Sequence, residues 1–376
     1  MEAYLDFSAT TPVCQQAADA ILEQCRRFGN PSSLHQKGLE AEITLQECRA
    51  AVAKRIGCAP EEVVFTSGGT EGNNLAIFGA AAANRRKGNR IVTTAVEHAS
   101  VLEPCKELER QGFDVVFLKP GRDGCVPPEA FLQAVDSTTI LVSVMACNNE
   151  TGALQPVEAA AKAIKCAGAP ALLHCDGVQS FCKLPFYPLE NGVDLFTVSS
   201  HKIYGPKGAG ALMVRKGVRI IPRCFGGPQE KGLRPGTENM PGIAGFAAAA
   251  KAMPGETEQL SKIESLRAHL LWLLENLPGV EINAASGSPY ITNISIPGVP
   301  AEVMLHFLEE RGVFVSTGSA CKKGAASHVL SAMGLPKARV DGALRVSLGY
   351  TSAKSDVEAL TAGLKEGLSV LCRKRR

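Results

Sequence analysis

Apolar residues in the first part of the chain follow two alternating periods. Between residue 35 and about residue 215, segments with the apolar spacing of a helix alternate with short apolar runs typical of buried strands. This alternation predicts an α/β fold, in which a mostly parallel sheet has helices on both faces. The predicted helices are 39–56, 75–84, 101–111, 128–135 and 157–166, and the predicted strands are 63–66, 91–94, 115–118, 140–145, 171–174 and 210–214.

The pattern changes after the last of these strands. A Gly/Pro-rich loop over 225–241 precedes an amphipathic helix over 258–276. Predicted strands over 290–296, 313–315 and 344–347 then alternate with helices, and the last helix covers 354–371. We place a domain boundary near residue 255. The expected units are an N-terminal segment, 1–15, that packs with the small domain, a large domain, 16–255, and a smaller α+β domain, 256–376.

Composition narrows the class of protein. The 376 residues are 45% hydrophobic and 20% charged, and the net charge of +3 is too small for an electrostatic nucleic-acid site. No apolar run approaches the roughly 18 residues of a membrane span. The opening carries Glu2 and Asp6 where a secretory signal would be basic and then apolar. We therefore expect a cytoplasmic protein that binds neither membranes nor nucleic acid directly.

Cysteines are numerous but are not arranged as a metal site. The 13 cysteines are odd in number and never form a C-x-x-C pair. Zinc sites and disulfide frameworks need regular spacing, so we expect no metal.

Two segments place polar residues directly after apolar strands. The run 67–71 (SGGTE) follows the strand 63–66 and enters a helix, which suits a phosphate cradle or, as an alternative, an ordinary N-cap after a tight turn. Asp176 ends another strand, with Gln179 three residues later. Carboxyl ends of parallel strands are where α/β sheets bind ligands, although Asp176 could also serve only as a helix N-cap.

A third segment supplies a lysine. A strand over 193–199 delivers Ser199, His201 and Lys202 into a Gly/Pro-held turn. A lysine at the end of such a strand is removed from water, and desolvation favours its neutral amine. A neutral amine is suited to Schiff-base chemistry. A phosphate cradle, an acid for a ring nitrogen and a lysine for an aldehyde are together the set that pyridoxal 5′-phosphate requires.

These residues and several further segments make the chain resemble a known family over nearly its whole length. It is similar to the cysteine desulfurases of the class-V aminotransferase superfamily, which implies the pyridoxal-phosphate fold type I with a seven-stranded, mostly parallel sheet in the large domain. The segments that carry the resemblance are 4–12, 29–33 with His35, 67–71, 96–98, 148–152 and 200–208.

The resemblance implies roles around the cofactor ring. Lys202 would hold the cofactor as a Schiff base and move a proton between the substrate Cα and the ring. Asp176 would pair with the ring nitrogen, Gln179 would bind the phenolic oxygen, and His98 would stack on the ring and join the catalytic residues.

It also implies contacts to the phosphate and the substrate. The expected phosphate ligands are Gly69, Thr70, Ser199, His201 and, from the neighbouring subunit of a homodimer, Thr237. Asn149 would contact cofactor and substrate, and the planar guanidinium of Arg345 would bind the α-carboxylate of L-cysteine.

Cys321 identifies the reaction that the resemblance favours. It lies in a small-residue loop, 315–324, beside two lysines, and nearby positive charge favours the thiolate. The thiolate would take the sulfur of cysteine as a persulfide and release alanine, and an acceptor protein would then receive the sulfur for iron–sulfur clusters, tRNA thiolation or other sulfur-containing cofactors.

Three alternatives stay open at this point. A class-V aminotransferase or a selenocysteine lyase would use the same Lys202 and Asp176, so only the Cys321 loop favours desulfuration. A catalytically silent sulfur-relay subunit could retain the fold. The stretch 322–328 is shorter than in the housekeeping scaffold-assembly enzymes, so the sequence does not identify the acceptor.

Overall fold

The computed structural model describes residues 2–317 and 326–371. Its helices are α1 (Gln15–Arg26), α2 (Gln36–Ile56), α3 (Gly69–Asn84), α4 (Ala99–Arg110), α5 (Pro128–Ala134), α6 (Val157–Ala167), α7 (Met240–Ala252), α8 (Glu256–Glu275), α9 (Ala301–Glu309), α10 (His328–Ala332), α11 (Lys337–Asp341) and α12 (Lys354–Leu371). Its strands are β1 (Ala3–Tyr4), β2 (Val63–Thr66), β3 (Arg90–Thr94), β4 (Asp114–Leu118), β5 (Thr139–Ser143), β6 (Leu172–Asp176), β7 (Leu195–Ser199), β8 (Gly210–Val214), β9 (Glu281–Ile282), β10 (Ile291–Ser295), β11 (Val313–Phe314) and β12 (Ala343–Ser347).

The central sheet has seven strands in the order β2-β8-β7-β6-β5-β3-β4. Strand β8 runs antiparallel to both β2 and β7, and the other neighbouring strands pair in parallel. Apolar clusters lie on the two faces of this sheet, against the helices. The predicted α/β architecture, with a mostly parallel seven-stranded sheet, is therefore confirmed.

Helices α1 and α7 are not among those predicted from the sequence. Helix α7 is apolar around most of its circumference and is buried between α1 and α2, so no polar face marks it in the sequence. Helix α1 begins after Cys14, whose side chain forms no cap hydrogen bond, so the usual start signal is missing. Helix α3 begins at Gly69 rather than at residue 75, because the glycine turn is itself the first turn of the helix.

The C-terminal part has its own core. Strands β12, β10 and β9 form an antiparallel sheet, and apolar side chains of α8, α9 and α12 pack with it. The N-terminal segment joins this part, since β1 pairs in parallel with β11. These contacts support the domain division near residue 255, which we retain as a proposal. None of the helices in the described ranges combines the length and apolar character that a bilayer span requires.

Candidate active site

The sequence-predicted residues meet at one edge of the central sheet. Ser199 and Asp176 end β7 and β6, and Gly69 and His98 lie at the starts of α3 and α4 after β2 and β3. These positions share an edge because the strands concerned run in the same direction. They line a cavity of about 720 Å³, a volume within the usual range of ligand sites.

A glycine turn and two side chains build the end of the cavity where the sequence predicts a phosphate. Gly68 has a φ of +149°, and a Cβ on Gly69 would lie 2.8 Å from Val178, so glycine lets the backbone pass closely here. Thr70 and Ser199 line the same end. The Ser199 hydroxyl is buried and has no hydrogen-bond partner among the described residues, which leaves it available to a ligand oxygen.

His201 stands beside these groups as a neutral ring. One ring nitrogen lies 3.2 Å from the Thr10 hydroxyl. Burial, reinforced by the charges of Lys202, Lys207 and Lys183, lowers the pKa of His201 to about 4. At neutral pH this histidine therefore contributes a hydrogen bond rather than a charge.

Asp176 is held rigidly by two donors. The side-chain amide of Asn73 donates to one carboxylate oxygen at 2.7 Å, and the backbone N–H of Val178 donates to the other at 2.9 Å. The Asn73 amide also donates to the Ser100 hydroxyl at 2.8 Å, so Asn73 joins α3 to α4 behind the acid. The carboxylate thus keeps one orientation toward the cavity.

Lys202 lies in the turn that follows β7. Its Nζ donates to the carbonyls of Ser8 and Ala9, at 2.5 and 2.8 Å. Burial, together with the nearby charges of Lys183 and Arg345, lowers the pKa of Lys202 to about 7. A substantial fraction of the amine is therefore neutral at neutral pH, as nucleophilic addition to an aldehyde requires.

His98 and Gln179 line the same cavity as this amine. His98 is the N-cap of α4, and its Nδ1 accepts from the Ser100 backbone N–H at 3.1 Å. Burial lowers the pKa of His98, which favours a neutral ring suited to stacking. Gln179 donates through Nε2 to the Ser8 carbonyl at 3.0 Å.

Arg345 lies in the middle of β12. Its side chain is only 3% exposed and forms an ion pair with Asp6 at 2.7 Å. It also donates to the carbonyl of Asn149 at 2.9 Å. Both Arg345 and Asn149 line the cavity, and the buried Nε of Arg345 has no partner among the described residues.

Among the predicted residues that the structure describes, Thr237 is not brought to this cavity. Thr237 is exposed in the segment before α7 and does not line the cavity within its own chain. Cys321 lies outside the described residues, so its proposed role rests on the sequence alone.

Sequence reasoning missed the residues that hold the site in place. Asn73 lies one helical turn after Gly69, a spacing that places both on the same end of α3 and could have indicated it. Ser8 acts through its carbonyl oxygen, so its side-chain type carries no signal.

The donor set fits pyridoxal phosphate. The unpartnered Ser199 hydroxyl and the glycine turn suit a phosphate, and the oriented Asp176 carboxylate suits a protonated ring nitrogen. The partly neutral Lys202 amine lies close enough to the same cavity to meet an aldehyde.

Comparison with known proteins agrees with this chemistry. The sequence model described as "Aminotransferase class-V" matches residues 3–360. The chain belongs to the class-V aminotransferase family. Among the family's curated members, cysteine desulfurase IscS of Dictyoglomus turgidum is 40% identical over 363 residues, which cover 95% of this chain and 92% of that protein. The resemblance to cysteine desulfurases is therefore confirmed.

Solved structures of class-V aminotransferase relatives share the fold. A NifS-like protein is similar with a TM-score of 0.92 at 36% identity, and the match covers 98% of this chain and all of the other. The structure titled "SspA in complex with cysteine" has a TM-score of 0.82 at 32% identity, with coverage of 94% and 100%.

Proposed function

We propose that this class-V aminotransferase-family enzyme is a pyridoxal-phosphate-dependent cysteine desulfurase that converts L-cysteine to L-alanine. The observation that carries the proposal is the partly buried Lys202 amine, held at the sheet edge with Asp176 around the same cavity as the Ser199 hydroxyl, which has no partner among the described residues. Relatives named as cysteine desulfurases, and a similar structure titled as holding cysteine, support the choice of substrate.

The chain's own residues would orient and deprotonate the substrate. When bound, pyridoxal phosphate supplies an electron sink for the substrate Cα. Asp176 would keep that sink effective by pairing with the ring nitrogen, and Gln179 would bind the phenolic oxygen. With a pKa of about 7, Lys202 can accept a proton from Cα and return it near neutral pH.

Sulfur transfer is assigned to Cys321. The Cβ–S bond of L-cysteine breaks, a bond forms between that sulfur and the sulfur of Cys321, and a proton completes the methyl group of alanine. L-Cysteine and one thiol therefore yield alanine and one persulfide, with no external oxidant. An acceptor protein then takes the outer sulfur, and its identity stays open. The cytoplasmic location expected from the sequence also stays a prediction.

A homodimer would complete the phosphate site with Thr237. The exposed position of Thr237, away from its own cavity, supports a role across a subunit boundary. Exposed apolar side chains near α1 and the start of α2 also support an interface. They are Leu22, Phe28, Leu34, Leu39 and Ile43.

Product stoichiometry tests the proposed reaction. Purified enzyme incubated with L-cysteine and dithiothreitol should release alanine and sulfide in equal amounts and should show the visible band of the bound cofactor. Formation of a 2-oxo acid from an amino donor would indicate transamination instead. Protein that takes up no pyridoxal phosphate would favour the silent relay subunit.

Arg345→Lys should weaken substrate binding more than it slows the chemical step. The variant keeps the positive charge but loses the planar guanidinium that can bind a carboxylate with two hydrogen bonds. Loss of a charge-assisted hydrogen bond corresponds to an increase of about 10- to 100-fold in KM for L-cysteine, with a much smaller change in kcat. Steady-state kinetics of alanine release measure both.

The control for Arg345→Lys is Arg311→Lys, which alters an exposed arginine paired with Glu366 on α12. Its KM should equal that of the wild type. If Arg345→Lys also leaves KM unchanged, another group binds the carboxylate.

A further inference from the structure

Lys183 is a buried lysine for which the proposed reaction has no role. It follows Gln179 by four residues and is only 6% exposed. The groups that act on its charge are the thiols of Cys147 and Cys182 and the guanidinium of Arg345. None of the carboxylates in the described part of the chain pairs with Lys183, and burying an unpaired ammonium costs free energy, so its presence beside the cavity calls for a functional explanation.

Hydrogen bonds connect Lys183 to the catalytic lysine. Its Nζ donates to Oε1 of Gln179 at 3.4 Å, and this contact turns Nε2 of the same amide toward the carbonyl of Ser8. That carbonyl also accepts from Nζ of Lys202 at 2.5 Å. The two amines are therefore linked through one side-chain amide and one backbone oxygen.

The charge of Lys183 also acts on Lys202. After burial, Lys183 is the largest contribution that lowers the pKa of Lys202. Among the described residues, the charged or titratable groups around Lys202 are Lys183, Arg345, Asp6, Asp176, His98 and His201. The negative charges of the two aspartates raise the pKa of Lys202. Burial lowers the pKa of Lys183 itself to about 8, so most of its charge is present at pH 7 and is lost as the pH rises through 8.

We propose that Lys183 is a positioning residue whose buried amino group orients the Gln179 amide and places a second positive charge beside Lys202. This role rests on the proposed function, because it concerns how the chain prepares Lys202 and Gln179 for the cofactor. Lys183 acts through Gln179 and Lys202 rather than on the substrate itself.

Lys183→Met in the holoenzyme tests the proposal. Removal of a neighbouring positive charge makes the nitrogen of Lys202 easier to protonate, so the pH midpoint of the cofactor's absorbance change should rise by about one pH unit. The readout is a spectrophotometric pH titration without substrate. Lys183→Arg keeps the charge and should return the midpoint most of the way to the wild-type value.

Lys165→Met is the matched control, since Lys165 is an exposed lysine on α6. Its midpoint should equal that of the wild type. An unchanged midpoint in folded Lys183→Met with its cofactor band intact overturns the proposal, and a lower melting temperature alone does not support it. If Lys183→Met does not fold, Lys183→Gln gives the same comparison. A wild-type protein without the band would count against the proposed function instead.

Discussion

Lys202→Ala should lose the cofactor band and reduce alanine release by about 10³-fold. The substitution removes the amine that holds the cofactor and moves the Cα proton, and the other residues around the cavity cannot replace either role. Asp176 is acceptor-only when ionised, and His201, whose pKa lies near 4, is a weak base. The assay measures alanine from L-cysteine at equal protein concentration, and the visible spectrum is recorded on the same samples.

Two further variants make this result specific. Lys216→Ala removes an exposed lysine of the same type just after β8 and should match the wild type in both measurements. Cys321→Ala should keep the cofactor band and lose alanine release, because it removes only the sulfur acceptor. A Lys202→Ala enzyme that retains the wild-type band and turnover would contradict the assignment of this lysine.

Much of the fold and the centre of the site follow from local sequence patterns. Strand β7 is buried along its whole length, and the residues that follow it are delivered to the carboxyl edge of the sheet. Asp176 and Lys202 could therefore be placed from their position after buried strands. The periodicity of apolar residues did not predict α7, because a helix that is buried on nearly all sides has no polar face to alternate with its apolar one.

The supporting contacts could not be predicted, because they depend on distant parts of the chain. Lys202 and Gln179 share the Ser8 carbonyl across more than 170 positions, and Arg345 pairs with Asp6 across 339. A backbone carbonyl has no sequence signature, and a central strand position for Arg345 becomes reasonable only once Asp6 is beside it. Lys183 is likewise a common surface residue type, and only the fold reveals its burial.

One such distant contact fixes the segment that leads to Thr237. Glu230 forms a two-hydrogen-bond ion pair with Arg49 of α2, both at 2.7 Å, and accepts from the Phe65 backbone N–H of β2 at 2.8 Å. The side chains of Arg49 and Glu230 are 9% and 2% exposed. Glu230 and Lys231 have positive φ values of 46° and 60°, a strained conformation that these contacts hold in place.

Glu230→Gln should therefore lower the free energy of unfolding by about 3–5 kcal/mol, the usual cost of leaving one buried charge uncompensated. The amide group also turns an N–H₂ donor toward either Arg49 or the Phe65 N–H, where the carboxylate had accepted hydrogen bonds. Urea unfolding of wild type and variant at equal cofactor content measures the loss.

The exposed counterpart of this pair is the matched control. Arg311 and Glu366 also form an ion pair with two hydrogen bonds, here on the surface and through Nε and Nη2 of the arginine, so Glu366→Gln removes a comparable carboxylate in water. Its urea midpoint should coincide with that of the wild type, because solvent replaces the lost contacts. If Glu230→Gln also unfolds at the wild-type urea concentration, the buried pair does not stabilise this segment. A double variant, Arg49→Leu with Glu230→Met, should regain part of the loss, since it removes both charges together.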